Sequence, residues 1–293
     1  MSQVDRYAVI GQPIAHSKSP YIHAAFARAC GQKLSYDAVA VAPEALAANL
    51  AQLHAEPYLG LNVTLPHKVA LKALCESLSA RAEAAGAVNT LSRTATGWAG
   101  DNTDGAGFIA DLARLGVSLK GQRVLMLGAG GAARGLIAPI LAQAPKALMV
   151  SNRNPWKPED LAERFKALGN IQPRTHLSLK GDSYDVVINA TAAGHAGEMP
   201  RIPGKILAAG AVAYDLSYGA SAEPFKAWAA AQGAGLIADG LGMLVEQAAE
   251  AFLLWRGVRP DTAAVLAELR LPEEMAVHVA PSRQGLPNRI GQD

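Results

Sequence analysis

A glycine-rich turn between a predicted strand and a predicted helix constrains the fold of this chain more than any other feature. Arg123–Leu127 is a short apolar run typical of a buried strand, and helical spacing resumes after the turn and continues to Leu141. In such a unit the first glycine allows a tight turn, the second lets a pyrophosphate approach the backbone, and a small third residue lets helix and strand pack. The helix N-terminus also offers free N–H groups to phosphates. The pattern Gly128-x-Gly130-x-x-Ala133 therefore predicts a Rossmann-like dinucleotide site, whose cofactor-binding turn comprises Gly128, Ala129, Gly130, Gly131, Ala132 and Ala133. The alternative is a glycine-rich turn in some other α/β unit.

The end of the following predicted strand indicates which dinucleotide the site takes. An NAD site favours Asp or Glu about 20 residues after the glycines, where the carboxylate holds the ribose 2′-hydroxyl. This chain has Asn152 and Arg153 there, and Lys157 adds a second cation. A guanidinium suits a 2′-phosphate and no carboxylate repels it, so we expect NADP(H) as the cofactor. The alternative for Arg153 alone is an ordinary solvated surface cation.

Alternating strand and helix patterns run through the chain on both sides of the turn and predict an α/β fold with mainly parallel sheet. The 293 residues suffice for one large or two moderate domains. In the first hundred residues we predict strands at Tyr7–Gly11, Leu34–Val41 and Tyr58–Val63, and helices at Pro20–Cys30, Pro43–His54 and Ala70–Leu78. Later we predict a helix at Phe108–Leu115, strands at Ala147–Val150, Tyr184–Asn189 and Ala211–Leu216, and helices at Gly240–Trp255 and Pro260–Leu269.

Composition and charge favour a cytoplasmic enzyme of small molecules. The formal net charge is only +2, so no strong field indicates a nucleic-acid or membrane partner. The N-terminus has no basic flank and no apolar run typical of a signal peptide. The two cysteines have no paired spacing that would indicate zinc or a disulfide framework, and we expect no metal.

Five further motifs, in order along the chain, resemble those of the shikimate dehydrogenase family. They are Gly11-x-Pro13-Ile14-x-His16-Ser17-x-Ser19-Pro20, Asn62-Val63-Thr64-x-Pro66-x-Lys68, Gly86-Ala87-Val88-Asn89-Thr90, Asp101-Asn102-Thr103-Asp104-Gly105-x-Gly107-Phe108 and Asp239-Gly240-x-x-Met243-Leu244-x-x-Gln247. The resemblance covers residues 7–270 and implies a two-domain α/β fold. An N-terminal substrate-binding domain would span residues 1–103 and be completed by 240–272, and a Rossmann-like NADP-binding domain would span 104–239. Residues 273–293 lie outside the resemblance, lack periodicity and are predicted to be a flexible tail.

The resemblance also implies an activity, the NADPH-dependent reversible reduction of 3-dehydroshikimate to shikimate on the route to chorismate. Reducing a ketone with hydride leaves negative charge on oxygen, which needs a proton donor. Lys68 is the expected donor, and Asp104 is expected to orient it. The implied substrate ligands are Ser17, Ser19 and Tyr218 for the carboxylate, and Asn62, Thr64, Asn89 and Gln247 for the ring hydroxyls. Thr191 and Met243 are expected to line the nicotinamide pocket, and Leu216 and Gly240 are further expected cofactor-binding residues.

Several alternatives remain open at this stage. Without its motif, Lys68 would be a solvated lysine, the serines a local turn, the asparagines turn caps and Met243 plain core. We interpret His16 and His67 as structural, because neither has an evident carboxylate partner. The competing functions are an NAD-dependent quinate/shikimate dehydrogenase and a non-catalytic NADP(H)-sensing module. The chain could be a monomer or a homodimer.

Overall fold

The computed structural model describes residues 4–271. The predicted flexible tail at 273–293 therefore lies outside the described residues. Within them the chain forms two six-stranded sheets with helices packed on both, which confirms the predicted α/β class. No helix in this part of the chain has both the length and the hydrophobicity of a membrane span.

The first sheet has the strand order β2-β1-β3-β5-β6-β4. Strands β1, β2 and β3 pair in parallel, as their alternation with helices predicted, whereas β5 runs antiparallel to both β3 and β6. The six strands are β1 (Asp5–Gly11), β2 (Leu34–Ala40), β3 (Tyr58–Val63), β4 (Ser77–Leu78), β5 (Thr90–Arg93) and β6 (Trp98–Asp101).

One predicted helix in this half, Ala70–Leu78, was wrong. Only Ala70–Leu74 is helical, as a 3₁₀ segment, and the chain then forms the short strand β4 beside β6. The Glu76 N–H donates to the Trp98 carbonyl at 2.9 Å, and the Glu76 carboxylate accepts hydrogen bonds from the hydroxyls of Thr94 and Thr96. Pairing with a distant strand therefore overrides the local helical pattern.

The hairpin of β5 and β6 was not predicted, although its turn carries a signal. The turn ends in Gly97, whose N–H donates to the Thr94 hydroxyl at 2.8 Å, and a backbone hydrogen bond runs from the Thr94 N–H to the Gly97 carbonyl. Short connections that contain glycine are typical of hairpins. The hairpin matters for function because β6 leads directly into the Asn102–Asp104 turn.

The second sheet is parallel throughout, with the order β12-β11-β10-β7-β8-β9. Its strands are β7 (Arg123–Leu127), β8 (Ala147–Asn152), β9 (Ile171–Thr175), β10 (Tyr184–Asn189), β11 (Leu207–Asp215) and β12 (Leu236–Ala238). The central strands β7, β8 and β10 are largely buried, which suits their apolar runs, whereas the edge strand β9 has no fully buried residue. From β7 the strands are added towards one edge of the sheet, as β8 and β9, and then towards the other edge, as β10, β11 and β12. Open α/β sheets bind ligands at such a switch point, which here lies between β7 and β10.

Nine α-helices accompany the sheets within the described residues. The helix α4 begins at Asp104 and packs against both α5 and α8, so it lies between the nucleotide turn and the returning C-terminal helix. The helices are α1 (Ser19–Ala29), α2 (Leu46–Ala55), α3 (Ala80–Ala85), α4 (Asp104–Arg114), α5 (Gly131–Ala142), α6 (Trp156–Phe165), α7 (Glu223–Ala231), α8 (Leu241–Arg256) and α9 (Ala263–Arg270).

Candidate active site

A lysine–aspartate pair lies at the centre of the polar residues between the two sheets. The Lys68 Nζ lies 2.6 Å from Asp104 Oδ2, and the two side chains are only 14% and 4% exposed. The other carboxylate oxygen of Asp104 accepts a hydrogen bond from Asn89 Nδ2 at 2.8 Å. The structure thus brings the two predicted acid/base residues into direct contact, with a cation held ready in a mostly buried site.

Lys68 is held by the segment that follows strand β3. Its carbonyl accepts a hydrogen bond from the Val88 N–H at 2.7 Å, and the neighbouring His67 is buried with its Nε2 2.8 Å from the Val41 carbonyl oxygen. The histidine therefore anchors the segment to the backbone, which agrees with a structural role. His16 is exposed.

Asp104 is held by a turn in which Asn102 and Thr103 take part. The Asn102 side chain accepts from the Asp104 N–H at 3.1 Å and donates to the Ala87 carbonyl at 2.9 Å. The Thr103 N–H donates to Asn89 Oδ1 at 2.8 Å. Asn102 and Thr103 belong to the quoted motif but were not predicted as site residues, since their polar contacts become visible only once the turn is folded.

Three of the four expected ligands for the ring hydroxyls, Asn62, Asn89 and Gln247, are joined to the pair in one hydrogen-bonded network. Asn89 Nδ2 lies 2.9 Å from Thr103 Oγ1 and 3.4 Å from Gln247 Oε1, so α8 joins the site through its glutamine. Asn62 Nδ2 donates to Thr90 Oγ1 at 3.2 Å. Thr64 is half-buried and follows Asn62 at the end of β3.

Tyr36 is a contact of this network that sequence reasoning missed. Its hydroxyl donates to Asn62 Oδ1 at 2.7 Å, and burial raises the pKa of the phenol well above its ordinary value. The ring stacks on His23, with centroids 4.2 Å apart. Burial lowers the pKa of His23 to about 3, so this imidazole is neutral. A tyrosine on a distant strand has no local sequence signal that would assign it to the site.

The expected carboxylate ligands gather at the start of α1. Ser19 is buried, and its N–H donates to the Ser17 hydroxyl at 3.3 Å. Tyr218, from the loop after β11, is half-buried against the apolar residues around α1. Burial raises the pKa of its phenol, an effect partly offset by a hydrogen bond from the backbone of Lys18. The structure therefore brings hydroxyl groups from both halves of the chain to one place.

The glycine-rich turn has the shape that a dinucleotide requires. Gly128 has φ +107°, and a methyl group added there would lie 2.7 Å from the Ala190 carbonyl oxygen, so only glycine fits. Among the described residues, nothing lies within 4 Å of a methyl group added at Gly130, which leaves its backbone open to a ligand. Ala129 and Ala133 are buried where α5 packs on the sheet, while Gly131 and Ala132 open the helix. These features fit a bound pyrophosphate at the helix N-terminus.

The expected 2′-phosphate ligands lie at the end of β8 and the start of α6. Asn152 is the last residue of β8, and its Nδ2 donates to the Asn154 carbonyl at 3.1 Å. Arg153 and Lys157 are exposed and carry no carboxylate partner among the described residues. Two cations beside an amide suit a phosphate dianion better than a ribose hydroxyl pair.

The expected nicotinamide residues follow the neighbouring strands β10 and β11. Thr191 donates its hydroxyl to Asn189 Oδ1 at 2.7 Å, and Asn189 Nδ2 donates to the buried Asp215 at 2.9 Å. Burial raises the pKa of Asp215. The backbone of Leu216 lies so close to Gly240 that a side chain there has no room. Met243, on α8, is buried in the same apolar cluster as Ala129 and Ala133.

Three family models match the chain, and together they cover most of it. They are described as shikimate dehydrogenase substrate binding domain, matching residues 9–91, shikimate / quinate 5-dehydrogenase, matching residues 111–197, and shikimate 5'-dehydrogenase C-terminal domain, matching residues 240–270. The Lys68–Asp104 pair is thus formed between the first matched segment and the stretch just before the second.

A related protein sequence and two solved structures also resemble this chain over most of its length. The chain is 50% identical over 268 residues to the shikimate dehydrogenase (NADP(+)) of Aeromonas hydrophila, which covers 91% of this chain and 98% of the relative. It resembles the crystal structure of an Ael1 enzyme from Pseudomonas putida with a TM-score of 0.83 and 42% identity, covering 92% and 99% of the two chains. It also resembles the shikimate 5-dehydrogenase of Thermus thermophilus, solved in complex with NADP(H) and shikimate, with a TM-score of 0.78 and 34% identity, covering 90% and 98%.

Proposed function

Because the chain belongs to the shikimate dehydrogenase family, we propose that its Lys68–Asp104 pair performs the acid/base chemistry of an NADP-dependent shikimate dehydrogenase. The enzyme catalyses the reversible reduction of 3-dehydroshikimate to shikimate, a step of chorismate and aromatic amino acid biosynthesis. The observation that carries the residue assignment is the 2.6 Å contact between Lys68 Nζ and Asp104 Oδ2 beside the glycine-rich turn.

The pair supplies a proton donor in a site that excludes most water. Negative charge grows on the substrate oxygen during reduction, and the Lys68 ammonium has three N–H donors, only one of which is needed by Asp104. Asp104 is itself oriented by Asn89, so the carboxylate that aims the ammonium is held in place. In the reverse direction the same lysine accepts the proton of the substrate hydroxyl.

The polar residues around the pair would bind and orient a polyhydroxylated carboxylate. Ser17, Ser19 and Tyr218 would hold the carboxylate, and the ring hydroxyls would fall to Asn62, Thr64, Asn89 and Gln247. Amides and hydroxyls both donate and accept hydrogen bonds, which suits a ring that carries several hydroxyl groups. A site of this kind rejects analogues without a hydroxyl, because its own polar groups would be left unpaired.

NADP(H) is the cofactor, and when bound it supplies the hydride. The turn from Gly128 to Ala133 would hold the pyrophosphate. Asn152, Arg153 and Lys157 would bind the 2′-phosphate. Thr191, Leu216, Gly240 and Met243 would surround the nicotinamide.

These assignments imply a division of the chain into two domains. Residues 1–103, completed by 240–272, would form the substrate-binding domain, and residues 104–239 the cofactor domain. The family's biosynthetic role supports a cytoplasmic location, which cell fractionation tests. Whether the protein is a monomer or a homodimer is decided by light scattering coupled to size-exclusion chromatography.

The test is the loss of NADPH absorbance with 3-dehydroshikimate, run beside 3-dehydroquinate and with NADH in place of NADPH. We expect turnover with the first substrate and NADPH. Faster turnover of 3-dehydroquinate with NADH would favour the quinate/shikimate alternative, and cofactor binding with no turnover would favour the sensing module.

Lys68→Ala tests the catalytic assignment. Removing the proton donor should lower kcat by at least ~100-fold with a smaller effect on substrate affinity. Lys72→Ala is the matched control, because Lys72 lies four residues further on, is exposed and pairs with Glu83 on the surface. Near-normal kcat in the Lys68 variant would remove this lysine from the mechanism.

A further inference from the structure

Gly131 lies directly against the proposed proton donor. A methyl group added at Gly131 would be 3.2 Å from Lys68 Cβ, 3.6 Å from Val69 Cγ2 and 3.9 Å from Lys68 Cδ. The shortest of these distances is below ordinary carbon–carbon contact, which begins near ~3.5 Å. The first residue of the nucleotide helix α5 therefore touches the stem of the catalytic lysine.

The dinucleotide pattern alone does not require glycine at this position. In G-x-G-x-x-A the conformational and steric demands fall on Gly128, Gly130 and Ala133, and Gly131 occupies one of the unspecified places. Its φ is not in the left-handed region, so alanine is compatible with its backbone conformation. The phosphate would use the Gly131 N–H, which alanine keeps. Among the described residues, Lys68 is the nearest obstacle to an added side chain at this position.

Lys68 has little freedom to move away from an added methyl group. Its carbonyl accepts the Val88 N–H at 2.7 Å, and its Nζ contacts Asp104 Oδ2 at 2.6 Å, so it is held at both ends. The helix α5 is held as well. A methyl group added at Gly135 would lie 3.0 Å from Asn102 Oδ1 and 3.2 Å from Asp104 Cβ, so α5 already rests against the turn that carries the aspartate.

From these contacts we propose that Gly131 is a positioning residue for Lys68. Because Gly131 has no side chain, the nucleotide turn can lie close to the proposed proton donor. The inference rests on the function proposed above. It separates two roles within one turn, since Gly130 leaves space for the cofactor and Gly131 leaves space for the lysine. A side chain at Gly131 displaces Lys68 from its place beside the nicotinamide pocket while the phosphate contacts persist.

The experiment is steady-state kinetics of Gly131→Ala in the full chain, with NADP+ and shikimate and in the reverse direction. A shift of a few tenths of an ångström at the reacting groups should lower kcat about 3- to 10-fold. The KM for NADP+ should stay within about twofold of wild type, because the phosphate contacts remain. Gly131→Val should lower kcat further. Thermal unfolding, measured on each variant, should show a folded protein with a melting temperature close to that of wild type.

Gly130→Ala is the crossed control, because an added methyl group there meets no described residue of the chain. It should raise the KM for NADP+ more than Gly131→Ala does, because the added methyl group occupies the space left for the cofactor. Three outcomes for Gly131→Ala would each overturn the inference. They are an unchanged kcat, a loss of activity that appears only as a raised KM for NADP+, and failure of the variant to fold. Wild type measured in the same assay separates these outcomes from failure of the proposed function, which would appear as an inactive wild type.

Discussion

At the scale of single residues, the proposed substrate site would depend on how its side-chain amides are oriented. Asn62 could present either its oxygen or its nitrogen to a ligand, and the Tyr36 hydroxyl decides between them by donating to Asn62 Oδ1. Because burial raises the pKa of Tyr36 well above its ordinary value, the phenol stays protonated and remains a donor at every working pH. We infer that Tyr36 keeps Asn62 in one orientation.

Tyr36→Phe should therefore weaken substrate binding without touching the chemistry. The variant keeps the ring that stacks on His23 and loses one buried hydrogen bond, which costs about 1–3 kcal/mol when the partner is left unpaired. We expect the KM for shikimate to rise about 3- to 10-fold, with kcat and the KM for NADP+ close to wild type. Steady-state kinetics measures this split, and an equal fall in kcat would contradict the assignment.

At the scale of elements, a salt-bridge network connects the turn that carries Asp104 to the helices α3 and α8. Arg81 of α3 binds both oxygens of Asp101 at 2.6 and 2.9 Å and donates to Glu250 of α8 at 2.9 Å. Asp101 Oδ1 also accepts the Asn102 N–H, so the network reaches the turn that carries Asp104. Burial alone would raise the pKa of Asp101, but the Arg81 guanidinium, the Ser79 hydroxyl and the Asn102 N–H together lower it.

Asp101→Asn should lower stability in a pH-dependent way. A carboxylate whose pKa is lower in the folded than in the unfolded state stabilises the protein fully above the unfolded value of about 3.9, and this contribution is lost as the pH falls through the folded value. We expect a loss of about 1–3 kcal/mol in unfolding free energy at neutral pH, shrinking below about pH 4. Urea unfolding at several pH values measures it.

The control for this prediction is Asp160→Asn. Asp160 is 66% exposed and makes a single ion pair with Arg134, so its removal should change stability by no more than about 0.5 kcal/mol. A deficit in Asp101→Asn that stayed constant from neutral to acidic pH would show that the lost charge is not its cause.

At the scale of the whole molecule, α4 joins the two sheets through close backbone contacts. A side chain at Gly105 would collide with Pro139 of α5, and one at Gly107 would lie 2.6 Å from the Gln247 N of α8. The helix that begins with Asp104 therefore links α5, the proposed acid/base pair and Gln247. Binding of the cofactor at the N-terminus of α5 should stabilise the entire chain by mass action.

Thermal unfolding with each dinucleotide tests this linkage and the cofactor preference. NADP+ at about 100 times its Kd adds about 2.7 kcal/mol, which corresponds to a rise of roughly 4–5 °C for a chain of this size. NAD+ at the same concentration should give a smaller rise. Arg153→Ala should weaken NADP+ binding about 10- to 100-fold, since a charge-assisted contact with phosphate is lost, and leave the NAD+ response nearly unchanged. Equal losses for both dinucleotides would contradict a 2′-phosphate role.

Local patterns in the sequence were sufficient to predict the elements whose formation depends on residues that are neighbours along the chain. The predicted bounds agree with the observed ones for the strands Tyr58–Val63, Arg123–Leu127 and Tyr184–Asn189. The hydrophobic pattern of each strand and the residues that mark its ends lie close together along the chain. The glycine turn with Arg153 in place of an acid indicated NADP(H) for the same reason, since the tight turn and the missing charge are properties of the residues themselves. The site residues were found through motifs rather than derived from geometry, and their roles remain predictions.

Only the tertiary structure decided which distant groups meet. Lys68 and Asp104 are 36 residues apart, Tyr36 and Asn62 are 26 apart, and Arg81 reaches Glu250 across 169 residues. The same long-range pairing turned the predicted helix end at Ser77–Leu78 into a strand. It also places Gly131 beside Lys68, a lysine that follows a strand of the other sheet. Contacts of this kind depend on the path of the whole chain and on the entropy of closing its loops, and no short window of residues carries that information.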